Sequence, residues 1–214
     1  MSEEKQKTYH GVVARYHFHD ARWFAVIGWA PFIIAFAGMA TSSISYLGLS
    51  FDIGLFLGLS SFVLTEGMLM FLLYFIISML FFAGGIEWYV LCRHCPCYEH
   101  SGVEHGKENR FYCLGNWGSP KVFKYKPGHI SRLGQGTFLV FVAFFLFFPI
   151  VYFLDRWEFV LFQLVMAASF IVTLRHWGCS QCPNFGCILN CVPEKNREEF
   201  LEALSRGEVY HQTG

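Results

Sequence analysis

The sequence predicts an all-α integral membrane protein with four transmembrane helices, five being the alternative, and two cysteine-rich cytoplasmic segments. Three observations carry that expectation. Of the 214 residues, 54% are hydrophobic and 15% charged, more apolar surface than a single soluble core of this size can bury, so the surplus should face lipid. From Trp23 to Leu91 there is no Lys, Arg or His, and the only acids are Asp52, Glu66 and Glu87. A second apolar block, 136–174, is broken only by Asp155, Arg156, Trp157 and Glu158.

Taken in order, the segment 1–22 is polar and carries Lys5, Lys7, Arg15 and Arg22, without the short apolar core and small-residue cleavage site of a removable signal peptide. It is therefore expected to stay on the mature chain, on the cytoplasmic side. His17, His19 and Asp20 could take a metal, but beside Tyr16 and Trp23 they read more plainly as an interfacial segment.

The region 23–91 is long enough for two or three spans at about 20 residues each. With two, 24–42 crosses outward, 66–90 returns, and 43–65 is an apolar, Gly- and Ser-rich outer connection. With three, 46–64 becomes a helix that places Asp52 in hydrocarbon, a costly position. The basic residues ahead of Trp23 favour an inside N-terminus and hence two spans. Glu66, between Thr65 and Gly67, is expected to cap the returning helix from outside, and Glu87 to sit at headgroup level.

The loop 92–135 holds Arg93, Lys107, Arg110, Lys121, Lys124, Lys126 and Arg132, and its Gly- and Pro-rich stretch 115–128 reads as turns. Next come spans near 136–154 and 158–174, a tight hairpin with Arg156 alone in its turn. The tail 175–214 holds Arg175, Lys195, Arg197 and Arg206, so basic-residue bias assigns both loop and tail to the cytoplasm. Pro193 suits a first helical position, Phe200, Leu201 and Leu204 follow at helical spacing, and Gly207 can end the turn, predicting a short amphipathic helix.

All eight cysteines fall in these two segments: Cys92, Cys95, Cys97 and Cys113 in the loop, Cys179, Cys182, Cys187 and Cys191 in the tail. Cytoplasmic thiols are kept reduced, which argues for metal ligation or thiol chemistry ahead of disulfides. Each half of the chain ends its hairpin in an aromatic residue followed by Cys-x-x-Cys-Pro, once at Cys92–Pro96 and again at Cys179–Pro183. Such an echo fits a hairpin-plus-site unit used twice, with the two sites side by side.

Four thiols in the tail run can close around one tetrahedral ion or one cluster, and thiolates select zinc, iron–sulfur or Cu(I). Cys179, Cys182, Cys187 and Cys191, with Pro183 and Pro193, resemble the ligand run of bacterial ferredoxins over about 15 residues, although the middle spacing is four instead of two. A zinc ribbon needs two knuckles, which pairing Cys92 and Cys95 with Cys179 and Cys182 would supply. In the loop cluster, Cys95 and Cys97 flank Pro96 too tightly to share an ion, so one of them is a candidate reactive thiol beside Arg93, and His94 is a candidate replacement ligand. No histidine falls within a span, which excludes a bis-histidine haem between helices.

Phosphate-binding Gly-rich loops, His-Glu-x-x-His and nucleophile motifs are all absent. The expected function is electron transfer by an iron–sulfur centre at the cytoplasmic face, as an oxidoreductase component if catalytic. Its partners would be membrane lipid and a membrane or soluble redox protein, with quinone a candidate and nucleic acid not expected. The alternatives are a zinc-stapled scaffold that docks another protein and thiol-based metal delivery or redox transfer. Lys121, Lys124 and Lys126, interleaved with Phe123 and Tyr125, suit anionic headgroups or an acidic protein partner, but they read more plainly as the ordinary basic bias of inner loops.

Overall fold

A computed structural model describes residues 11–13, 18–52, 63–96, 98, 102–104, 107–109 and 121–206. The described chain is mainly helical, in the order α1 (Phe18–Thr41), β1 (Ser50–Asp52), β2 (Val63–Thr65), α2 (Glu66–Phe82), α3 (Ile86–Val90), β3 (Gly102–Glu104), β4 (Lys107–Asn109), α4 (Arg132–Phe147), α5 (Trp157–Thr173) and α6 (Glu194–Ser205). Four helical stretches are long and apolar enough to cross a membrane: Arg22–Thr41, Glu66–His94, Arg132–Tyr152 and Trp157–Gly178. Their outward faces carry exposed apolar side chains, with Ile33 67% and Val140 71% exposed.

The ends of the stretch that a fifth span would need are strands instead. Ser50 pairs with Thr65, Phe51 with Leu64 and Asp52 with Val63, antiparallel, and Asp52 is exposed. The cause lies at Glu66. Its buried carboxylate accepts from Ser45 Oγ (2.6 Å) and from the backbone N–H groups of Tyr46 (2.9 Å), Leu47 (2.9 Å) and Leu49 (3.3 Å). Those amides are thereby spent on a side chain, and Gly48 turns the chain with φ 66°. Thr65 is the N-cap of α2, its hydroxyl accepting from Met68 N at 3.3 Å, so Glu66 holds the outer segment and Thr65 does the capping.

The chain divides into two compact units. One comprises Ala25–Ile86 and Thr137–Ile171 and is packed largely by aromatic rings. Phe32, Tyr74 and Phe145 meet at its centre with Ala35, Leu146 and Ala167, and Phe81 stacks flat on Phe141 at 3.7 Å. Small residues set the helix spacing. A Cβ on Gly67 would lie 2.0 Å from Met39 O, and one on Gly38 would lie 2.5 Å from the Phe153 ring.

Within that unit Pro149 stops α4, and Phe148–Tyr152 continues as a 3₁₀ turn. Proline has no N–H to offer the carbonyl of Phe145, four residues earlier. The hydroxyl of Tyr74 on α2 donates to that oxygen at 2.8 Å, and Gln163 Nε2 on α5 donates to Leu146 O at 2.9 Å. Away from water a broken helix is tolerated only when neighbouring helices satisfy the freed backbone groups in this way. At the turn before α5, Asp155 accepts from Ser42 Oγ, Ser43 N and Ser43 Oγ, while Arg156 donates to Thr41 O and pairs with Glu158.

Candidate functional site

The second unit comprises Met1–Phe24, Glu87–Gly136 and Val172–Gly214, and so contains both cysteine-bearing segments. One apolar cluster among its described residues joins Val13, Cys95, Phe200 and Ala203, with Phe185, Val192 and Leu204 packed against them, and Val90, Tyr98, Ile130 and Cys179 are buried elsewhere in the unit. The helix expected from Pro193 onward is α6, with Pro193 as its N-cap residue; it buries Phe200 and Ala203, while Leu201 faces out. Gly207 lies outside the described residues, as do Cys97 and Cys113. The side chains of His17, His19 and Asp20 also lie outside them.

The tail is built from its helix end outward. After α5 the backbone widens over Leu174–Gly178 into a π-helical turn, and Cys179 N donates back to Leu174 O at 2.6 Å. π-Turns recur at functional sites because they re-aim the residues that follow. Ser180 Oγ donates to His176 O at 2.8 Å and so covers an open carbonyl at the helix end.

The run then folds back on itself. Cys191 N donates to Cys179 O at 3.2 Å, bringing the first and last cysteines of the tail together. Asn190 stitches the interior: Nδ2 donates to Cys182 O (2.7 Å) and Asn184 O (3.1 Å), and Oδ1 accepts from Val192 N (3.1 Å). Ligand spacing does not single this residue out. The signal that points to it is an Asn beside a cysteine in a turn-rich run, where its side chain can bond to nearby backbone.

Electrostatics follow from the closure. Burial, reinforced by the neighbouring Cys187 and Cys191 sulfurs and opposed by Arg175, pushes the Cys179 thiol up to about 12. Burial also raises Cys187, against which the N–H groups of Leu189 and Asn190 face its sulfur and favour the thiolate. The Cys191 thiol donates to Leu189 O at 3.1 Å. Cys179, Cys187 and Cys191 are free thiols.

The loop cluster is held by the same unit. Cys92–His94 forms a 3₁₀ turn closed by Cys95 N to Cys92 O at 2.9 Å, and Asn184 Nδ2 from the tail donates to Leu91 O at 3.1 Å. Ile130 N reaches Gly186 O at 3.5 Å, a contact that requires glycine, since a Cβ there would lie 2.5 Å from Gly128 O. The two Cys-x-x-Cys-Pro segments are thus joined next to Cys92 and just past Cys182.

The members differ in setting. Cys95 is buried in the apolar core, where a thiol packs as a small hydrophobe. The Arg93 guanidinium, next in sequence to this cluster, lies over the Tyr89 ring at 3.6 Å. His94 is buried and its Nδ1 has no hydrogen-bond partner. Glu87 is half-buried on α3. Among the described residues no three His, Cys, Asp or Glu side chains are arranged to hold a metal ion.

Comparison with protein-family models, curated proteins and solved structures finds no match.

Proposed function

We propose that this chain is an integral membrane protein whose cysteine-rich unit binds a metal centre through thiolates at the cytoplasmic face, as an iron–sulfur electron-transfer component. The observation that carries the reading is the closure of the tail by Cys191 N on Cys179 O. It makes Cys187 and Cys191 electrostatic neighbours of Cys179 directly after the fourth apolar helix, and because no three of the described side chains stand in ligand geometry, loading a metal would have to draw the thiolates together. Soft thiolates in a compact set select iron–sulfur, zinc or Cu(I) over hard cations. Backbone N–H groups facing the Cys187 sulfur are the kind of hydrogen bond that tunes a cluster potential. A thiol near 12 is protonated in the free protein, so loading a metal must displace that proton. The cytoplasmic side follows from the basic residues of the loop and tail.

Anaerobic purification followed by a visible spectrum and elemental analysis is the test. Broad absorption at about 400 nm with iron and acid-labile sulfide, lost in Cys191→Ser, is the expected result from thiolate-ligated clusters. A preparation free of bound metal, including zinc, would exclude the metal-centre reading.

One observation favours a second reading, a zinc staple in a scaffold that docks a partner protein. The unit's described buried hydrophobics are few and scattered over loop, tail and N-terminal segment, with one cluster of four, Val13, Cys95, Phe200 and Ala203, which is little to hold loop and tail together unaided. A colourless protein with stoichiometric zinc and unfolding on chelation would select it.

A further inference from the structure

The stretch 121–132, Lys-Val-Phe-Lys-Tyr-Lys-Pro-Gly-His-Ile-Ser-Arg, carries four Lys or Arg and no Asp or Glu, in a chain whose formal net charge is zero. The structure gives this stretch a fixed seat. Phe123 N donates to Tyr98 Oη at 2.8 Å and Lys126 N to Arg93 O at 2.8 Å, so the segment is fastened at two points to the chain around the end of the second apolar helix, Glu66–His94. Its other end runs into Arg132, the first residue of the third, Arg132–Tyr152. The segment therefore spans the ends of two candidate membrane helices. Lys121, Lys124 and Lys126 are exposed, and so is Val122 at 66%.

A fifth cation joins them. The Arg93 guanidinium rests on the face of Tyr89 at 3.6 Å, and the edge of Phe123 meets the same ring at 5.3 Å. Its Nε makes no hydrogen bond, so a ring positions this cation and no carboxylate neutralises it among the described residues.

We infer that the collar formed by Lys124, Lys126 and Arg93, with Val122 and Phe123 as its apolar contact, binds the headgroup of an anionic phospholipid. Two features select this occupant. Exposed cations interleaved with apolar side chains at a helix end match a surface that is anionic outside and hydrocarbon beneath. The double fastening holds the charges at one depth, as a planar layer of phosphates requires. An acidic protein partner offers no reason for the exposed Val122 at that depth. The inference rests on the membrane-spanning part of the function proposed above and is independent of the metal.

The test uses the full chain in nanodiscs of phosphatidylcholine alone or with added phosphatidylglycerol, followed by thermal unfolding and by mass spectrometry of co-purified lipid. Wild type should be stabilised by phosphatidylglycerol and retain it. K124Q/K126Q should lose the stabilisation and bind the lipid about 25-fold more weakly, at about fivefold per lysine. K124R/K126R keeps the charge and should behave as wild type, which separates the headgroup contact from a folding defect. Equal stabilisation of wild type and K124Q/K126Q overturns the collar while leaving the membrane reading intact. Failure of the wild type to enter nanodiscs overturns both. Retention of an acidic protein on the collar in place of lipid likewise overturns the headgroup assignment.

Discussion

Tyr74→Phe removes one oxygen from the centre of the aromatic unit and nothing else. The ring stays stacked between Phe145 and Phe148, at 6.3 and 6.0 Å, so packing is conserved while the 2.8 Å bond to Phe145 O is lost. That carbonyl is buried beside Pro149, which has no N–H to replace the hydroxyl. A buried acceptor left unpaired costs about 1–3 kcal/mol in water-soluble proteins. Within membranes the measured worth of such bonds averages about 0.6 and reaches about 1.7 kcal/mol, because the unfolded chain also finds partners. The expected loss is therefore about 1 kcal/mol, or a fall of about 2–4 °C in Tm for a chain of this size. Tyr74→Ala, which also empties a ring-sized volume, should cost about 3–5 kcal/mol.

Thermal unfolding in detergent reads the effect, and a double-mutant cycle tests its cause. Pro149→Ala restores an N–H near Phe145 O, so Tyr74→Phe should cost less in that background than in wild type. Strict additivity of the two substitutions would refute the idea that the hydroxyl stands in for the missing amide.

Three further outcomes follow from the same unit. Gly67→Ala should destabilise by about 1–3 kcal/mol, since a Cβ there meets Met39 O at 2.0 Å and backbone must move; an unchanged Tm would mean that α1 and α2 cross farther apart. Glu66→Gln should speed amide exchange at Tyr46, Leu47 and Leu49 together, because the replacement amide turns an NH₂ toward donors that now share a carboxylate. Bonds from Ser43 and Ser42 hold the Asp155 carboxyl below the ordinary aspartate value, so its stabilisation is complete above the unfolded pKa of about 3.9 and disappears as pH falls through the folded one. Asp155→Asn should flatten that acid limb of Tm against pH; parallel limbs for the two proteins would remove Asp155 as its source.

Much of the candidate site is legible in the residue pattern. The position of Cys179 just past the end of one apolar helix, that of Cys92 in the last turn of another, and the helix after Pro193 follow from short-range pattern. The roles of individual side chains do not. By spacing Cys95 is a ligand or a reactive thiol, yet it fills the core against Phe200 and Ala203 from another segment. Asn184 and Asn190 have the composition of turn residues, yet one ties the tail to Leu91 and the other orders the run that carries Cys182, Cys187 and Cys191. Glu66 has the position of a cap, and its carboxylate collects donors up to 21 residues away.

By itself the sequence located the apolar helices and favoured four of them over five, because the preference of about 20 consecutive residues for hydrocarbon is a local sum that needs no neighbour. It also gave the two short runs that hold every cysteine, 92–113 and 179–191. Tertiary structure decided which polar groups meet: Tyr74 with a carbonyl 71 residues away, Gln163 with Leu146, and Glu66 with the backbone of Tyr46, Leu47 and Leu49. Those choices depend on burial, where an unpaired donor or acceptor is expensive, and the partner that relieves it is set by packing between helices and not by position along the chain.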